Sequence, residues 1–390
     1  MPSGFNIAAV FTPARRSRYD ANSVPSSRTL LKSAVGVCAG VLLYGIADQA
    51  IFGSGWYLRF LDPESLAGRV HLTLRAEWMR PPSPAPEVLV IGNSILAEGF
   101  SAKVADAEAG GRVRFANLAV PGSTPRAWYY ELRAADPDAR RYRAIVLQVE
   151  EYSDEDGFAP MADSIVDVHL IDGLLAASDA IDFASSYQAA RLQFEALRGT
   201  LLKGYIFKSD LQAFLEAPAK RLGRVALFQK GYAGWTYDYD GHPESLAGMS
   251  VDWAHHSIHF PPGVPRDVQE RVRTTVLRKR APSTGMQALY RQRWFGGMLD
   301  RYRSSGTRVI FIRPPRGPAV NPSFDSPHEP STIRGFASRA NVTVVPAETF
   351  QSLECPENFW DDLHMNANGR NRFSRMLARA VEPLAGKRAR

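Results

Sequence analysis

The sequence predicts an α/β domain built on a five-stranded parallel sheet, preceded by one apolar N-terminal helix. Three observations predict it. Short, β-branched apolar runs recur at 87–92, 113–118, 144–149, 307–313 and 341–346, as expected of strands buried on both faces. Helical patterns at 95–109, 124–135, 285–304 and 366–384 alternate with them, which is the signature of a doubly wound parallel sheet. Finally, an uncharged apolar stretch stands alone near the start of the chain, from Ser33 to Ala47.

That stretch is interrupted by Asp48-Gln49 and resumes as Ala50-Ile51-Phe52. As a helix, Ser33 to Gly53 is long enough to cross a hydrocarbon core of about 30 Å. The 32 residues before it carry Arg15, Arg16, Arg18, Arg28 and Lys32 among Ser and Pro, a composition read as a disordered tail. A basic tail ahead of a span predicts a signal anchor with the tail in the cytoplasm and all that follows outside. The alternatives are a cleaved signal peptide, cut after Gly45-Ile46-Ala47, and a buried helix of a soluble protein. Asp48 would reach the far interface, and Trp56 and Tyr57 would sit in the aromatic belt. Residues 54–86 are expected to form a stalk and linker, with 60–80 either a short helix or a membrane-proximal stalk, ending in the stiff linker Pro81-Pro82-Ser83-Pro84-Ala85-Pro86.

The domain then runs from 87 to 390, with an insertion at about 155–285, because the stretch from 149 to 307 is too long for one crossover. Helical patterns lie around 178–200 and 209–222. The segment from Gly231 to His242, with Tyr232, Trp235, Tyr237 and Tyr239, is expected to build a substrate-facing lid or groove, ordinary core packing being the alternative.

Composition narrows the class. Hydrophobic residues make up 45% and charged residues 22%, so the chain folds rather than staying disordered. The net charge of +7 comes from 47 basic residues interspersed with 40 acidic ones. That mixture argues against a nucleic-acid partner and leaves an anionic polysaccharide or a membrane surface as the functional alternative to a solvated face. Of the two cysteines, Cys38 lies in the apolar stretch and is not expected to pair with Cys355. His255, His256 and His259 form the one histidine cluster, but without a zinc-protease pattern or an accompanying Cys. They are read as an exposed loop, and no metal or other cofactor is expected.

The chemistry is expected at two places. Val90-Ile91-Gly92-Asn93-Ser94 ends the first strand and opens a helix, which puts the Ser94 hydroxyl at the carboxyl edge of the sheet, where such folds bind ligands. The N–H groups at a helix start favour negative charge, including a developing oxyanion. Far along the chain, Asp361-Asp362-Leu363-His364 precedes the last helix. An Asp three residues before a His can orient and charge-stabilise the imidazole, which can then deprotonate a serine.

Together these stretches resemble the SGNH (GDSL-type) hydrolase superfamily, over roughly residues 85–150 and 300–385. The resemblance implies a three-layer α/β/α fold in which Ser94 is the nucleophile, His364 the base and Asp361 the orienting acid. Phe115 to Ser123 resembles the second block of that family, which makes Gly122 an oxyanion donor beside the Ser94 N–H. There are two departures. Asn93 stands where the family usually has Asp, as its acetyltransferase branches tolerate. The third block, normally G-x-N-D, reads Gln148-Val149-Glu150-Glu151-Tyr152 here, with no Asn. The side-chain oxyanion donor is therefore missing or replaced, Gln148 and Tyr152 being the candidates. Membrane-anchored polysaccharide O-acetyltransferases of the alginate type share this combination.

The resemblance implies an inner-membrane, single-pass enzyme whose catalytic domain is periplasmic. Its expected activity is O-acetylation of a polysaccharide, with a multi-pass membrane acyltransferase as a partner supplying the acyl group. A carbohydrate acetylesterase, or a weakly catalytic polysaccharide-binding scaffold, is the alternative. Arg313, in Arg313-Pro314-Pro315-Arg316, is a candidate for contact with a sugar carboxylate, a structural salt bridge being the rival role. If the fold is right, Ser94 Oγ and a His364 ring nitrogen lie within hydrogen-bond reach, and Asp361, not Asp362, meets the other nitrogen.

Overall fold

A computed structural model describes residues 27–154, 163–278, 285–321 and 330–386, leaving aside the side chains of 232–236. Most of the predicted basic tail and the C-terminal Lys387-Arg388-Ala389-Arg390 run lie outside the described residues. The chain divides into two units, residues 1–47 and 48–390. In the first, the helix Ser27–Asp48 begins, and its apolar side chains, Leu30 to Ile46, are exposed. With the π-helical turn Gln49–Gly53 it forms one helix long and apolar enough to cross a membrane.

The second unit holds the expected sheet. Its strands are β1 (Glu87–Ile91), β2 (Arg114–Asn117) and β3 (Ala144–Gln148), a separate hairpin of β4 (Ser250–Asp252) and β5 (Ser257–His259), then β6 (Arg308–Ile312) and β7 (Val342–Val344). The main sheet is parallel throughout, in the order β2-β1-β3-β6-β7. Successive strand residues point to opposite faces, and here both faces are covered. Leu89, Ile91, Ile145, Leu147, Val309 and Phe311 pack on one side with helices Leu66–Met79, Pro125–Ala135 and Met286–Arg301. Val88, Val90, Val146, Ile310 and Ile312 pack on the other with Ala102–Ala109, Arg266–Val276 and Ala367–Ala385. That is why these strands read as unbroken apolar runs. The chain leaves β1 to one side for β2 and returns to the other for β3, so the carboxyl ends of β1 and β3 form the crevice where such sheets take ligands.

Four expectations are corrected. The helix expected over 95–109 is two, Ser94–Gly99 and Ala102–Ala109. The break falls at buried Phe100, and the Ser101 side chain restarts the helix by accepting from Val104 N–H. Residues 54–86 do not stand off as a stalk. In Leu66–Met79, Leu66, Val70 and Leu74 recur every fourth residue and pack into the core, a stripe that an isolated stalk would leave in water. Tyr57 is not an interfacial anchor: it is 1% exposed, and its hydroxyl donates to Asp210. Trp56 does remain half exposed. Asp48 is buried, and its carboxylate accepts from Lys203 and Gly204 N–H, capping the helix Lys203–Glu216.

The insertion is mainly helical. The aromatic segment 231–242 is largely the end of the helix Pro218–Asp238, and the side chains of Tyr232 and Trp235 are not among those described. The histidine cluster straddles the β4–β5 hairpin, with His255 and His256 in its turn and His255 Nδ1 2.7 Å from Asp252.

Candidate functional site

The crevice is built first from the end of β1. Asn93 caps the helix Ser94–Gly99, its Oδ1 accepting from Ile95 N–H at 3.0 Å, and Ser94 is the first helical residue. Gly92 is needed for space rather than for a left-handed backbone. A Cβ there would lie 2.3 Å from Gln148 Oε1 and 2.8 Å from Leu96 Cδ1, closer than any side chain allows.

The second part comes from the loop before the last helix. An isolated antiparallel bridge pairs Phe359 with Met365, and Trp360 N–H donates to the His364 carbonyl. The intervening residues are thereby pinched into a tight turn. Asp361 Oδ1 accepts from the N–H groups of Leu363 and His364 at 3.0 and 2.7 Å, a local turn of the kind Asp favours. Asn366 then caps Ala367–Ala385 through Gly369 N–H.

These two pieces meet. His364 Nε2 lies 2.8 Å from Ser94 Oγ, and His364 Nδ1 lies 2.9 Å from Asp361 Oδ2. An ionised carboxylate only accepts, so Nδ1 carries the proton and Nε2 is left to accept from the serine hydroxyl. Burial alone would raise the Asp361 pKa, but the ring and backbone N–H groups of His364 hold its carboxyl below the usual range. Burial disfavours the charged imidazole, yet the bond to Asp361 and the charges of Asp361, Glu98 and Asp362 outweigh it and raise the His364 pKa. Asp362 does not touch the ring; its Oδ2 accepts from Thr275 Oγ1 at 2.6 Å.

Gly122 sits at φ +79° in an exposed turn closed by Ser123 N–H and the Val120 carbonyl. The turn is tied to the serine loop, since Val120 N–H donates to the Gly92 carbonyl and Ser123 Oγ lies 3.0 Å from the same oxygen. Among the described residues, neither Ser94 N–H nor Gly122 N–H has an acceptor.

Neither side chain expected as a further donor supplies one. Gln148 is fully buried; its Oε1 accepts from Asn93 N–H and its Nε2 donates to Asn93 Oδ1. Tyr152 is buried too, and its hydroxyl donates to the Val345 carbonyl at 2.6 Å. For Arg313 the structure shows the second of its two expected roles. It is 6% exposed, bonds Glu151 and the Ala347 carbonyl, and so has the structural role. In each case the fold supplies a buried protein partner for the side chain.

Two features escaped the sequence reading. The Trp360 ring stacks with two imidazoles, His242 at 4.0 Å and His364 at 6.0 Å between centroids. This brings the middle of the insertion onto the His364 loop, where Ala367 N–H also donates to the His242 carbonyl. No local pattern links residues so far apart. Glu150 is the other: it accepts from Asn93 Nδ2 at 3.3 Å, and burial pushes its pKa up to about 7 against the pull of Arg291 and Arg278. A charged residue directly after a buried strand was the available signal. Beside the serine, a narrow cleft opens between Ile95, Leu363, Thr275, Val276 and Pro315. Among the described residues no group of three or more metal-type ligands converges.

No protein-family model matches the chain, and no curated protein matches it at a significant level.

Proposed function

We propose that the chain is an SGNH-like serine acyl enzyme, anchored in the inner membrane by its N-terminal helix, that O-acetylates an extracytoplasmic polysaccharide. The observation that carries the reading is the hydrogen-bonded series Ser94–His364–Asp361, with links of 2.8 and 2.9 Å, beside two backbone N–H groups that have no acceptor among the described residues.

In this reading His364 takes the Ser94 proton as Oγ attacks an ester carbonyl. The carbonyl oxygen becomes an anion, received by the Ser94 and Gly122 N–H groups; losing one such donor typically costs about 10²–10³ in rate. The intermediate collapses by breaking the bond to the leaving alkoxide, which takes the proton from His364. The acyl-serine is then attacked by a sugar hydroxyl, whose proton passes through His364. Water as acceptor would make the same site an acetylesterase. A multi-pass membrane acyltransferase is the proposed source of the acyl group. The fact that Gln148 and Tyr152 are both committed elsewhere favours one further alternative, a feebly catalytic polysaccharide-binding scaffold.

Incubating the full chain with an activated acetyl ester should leave an acetyl group on the Ser94 peptide, detected by mass spectrometry. An unmodified peptide, with hydrolysis no faster than the background, would favour the scaffold. Adding an oligosaccharide should shift product from acetate to acetylated sugar; acetate alone would indicate the esterase. The anchor reading is supported by the apolar helix and the basic residues before it. A reporter fused after Arg390 should be active only outside the cytoplasm, and cytoplasmic activity would reject that orientation.

A further inference from the structure

Gln148, Glu150 and Asn93 form a closed set around the residue that precedes Ser94. Asn93 uses both polar atoms of its side chain and its backbone N–H. Oδ1 accepts from Ile95 N–H and Gln148 Nε2, Nδ2 donates to Glu150 Oε1, and the backbone N–H donates to Gln148 Oε1. Gln148 is 0% exposed and lies so close to Gly92 that a side chain at position 92 would collide with it. The bonds to Gln148 and Glu150 therefore cross from the end of β1 to the end of β3, the two strands whose carboxyl ends form the crevice.

We infer that Glu150 and Gln148 are positioning residues that lock Asn93, and through it the Ser94 hydroxyl and N–H, and that Glu150 is the reason position 93 carries an amide. This inference rests on reading Ser94 as the nucleophile. An amide can accept from Gln148 and donate to Glu150 at once, whereas a carboxylate can only accept. With Asp at position 93, one oxygen would keep the bonds to Ile95 and Gln148, but the other would face the Glu150 carboxylate. Like charges at that distance disfavour ionisation of both. The cations facing Glu150 cannot fully relieve this. Arg291 is already bound to Asp154 and to the carbonyls of Glu151 and Ser153, and Arg278 and Glu151 add one charge of each sign. Glu150 thus suits an amide rather than a carboxylate at position 93, and exchanging the two groups would swap donor and acceptor across the crevice.

The test is a rescue experiment on the full chain, reading kcat/KM for an activated acetyl ester and covalent labelling by a fluorophosphonate. Asn93→Asp should lose about tenfold to a hundredfold, the cost of a misplaced nucleophile. The double variant Asn93→Asp/Glu150→Gln should recover to within about threefold of wild type, because the amide introduced at position 150 would donate to the carboxylate introduced at position 93. The ratio of Asn93→Asp to wild-type activity should rise as pH falls, since protonating either carboxyl restores a donor between them. A merely structural role would not give a pH-dependent ratio. The inference is overturned if Asn93→Asp matches wild type, or if the double variant folds but is no more active than Asn93→Asp. If Asn93→Asp fails to fold, a folded and active double variant still supports the swap, and an inactive one rejects it. Ser94→Ala separates this from the underlying reading. If it labels and reacts like wild type, the nucleophile assignment fails, and otherwise only the positioning is at stake.

Discussion

Ser94→Ala should lower the rate with an activated acetyl ester by about 10³-fold or more, the loss seen when a triad nucleophile is removed, while leaving the fold intact. The hydroxyl bonds His364 Nε2, and Ser94 is only partly buried at a helix start. Its loss removes little packing, so unfolding free energy should stay within about ±0.5 kcal/mol of wild type. Residual activity would come from the backbone donors, which the substitution does not touch. Thermal and urea melts alongside the kinetics separate the two effects. Equal rates for the two proteins would mean that the geometry is not used for acyl transfer. Equal losses of rate and stability would mean that the serine is structural.

The largest stability effect is expected from Arg126→Ala. Arg126 and Asp167 are both 0% exposed and lie 3.0 Å apart, with Thr124 Oγ1 donating to the same carboxylate. The guanidinium also stacks 3.8 Å from the Tyr187 ring. Burial pushes the Asp167 pKa up to about 6 despite Arg126 beside it, a measure of how poorly the site would tolerate that charge alone. Removing one partner of a buried pair typically costs about 3–5 kcal/mol. The urea midpoint of Arg126→Ala should fall accordingly; a loss below about 1 kcal/mol would show that the pair is dispensable. Function should suffer as well, because Thr124 and Arg126 flank the start of the helix Pro125–Ala135, directly after Gly122 and Ser123. The insertion, through Asp167 and Tyr187, thus holds the Gly122–Ser123 turn from behind.

Much of this arrangement was legible in the chain because it is local. Strands buried on both faces must be apolar at every position, so Val88 to Ile91 and Ile145 to Leu147 could be located from composition alone. The turn from Asp361 to His364 is closed by bonds spanning two and three residues, and Asn93 and Asn366 cap the helices that follow them. Such contacts depend on neighbours in sequence, and residue type suffices to predict them. The Tyr57 packing was misread, and the duties of Gln148, Tyr152 and Arg313 were left open, because each depends on what the fold brings near. A polar side chain at a strand end takes whichever buried partner is closest, and the bare sequence does not rank those distances. The same holds for the pairs that matter most to the site. Ser94 and His364 are 270 positions apart, and Asn93 meets Gln148 and Glu150 only because β1 lies beside β3. The sequence by itself determined where the buried strands run and which strand end carries the Gly92-Asn93-Ser94 turn. Only the tertiary structure decided which side chains touch, because hydrogen bonds and desolvation act over a few ångströms of space, whatever the separation along the chain.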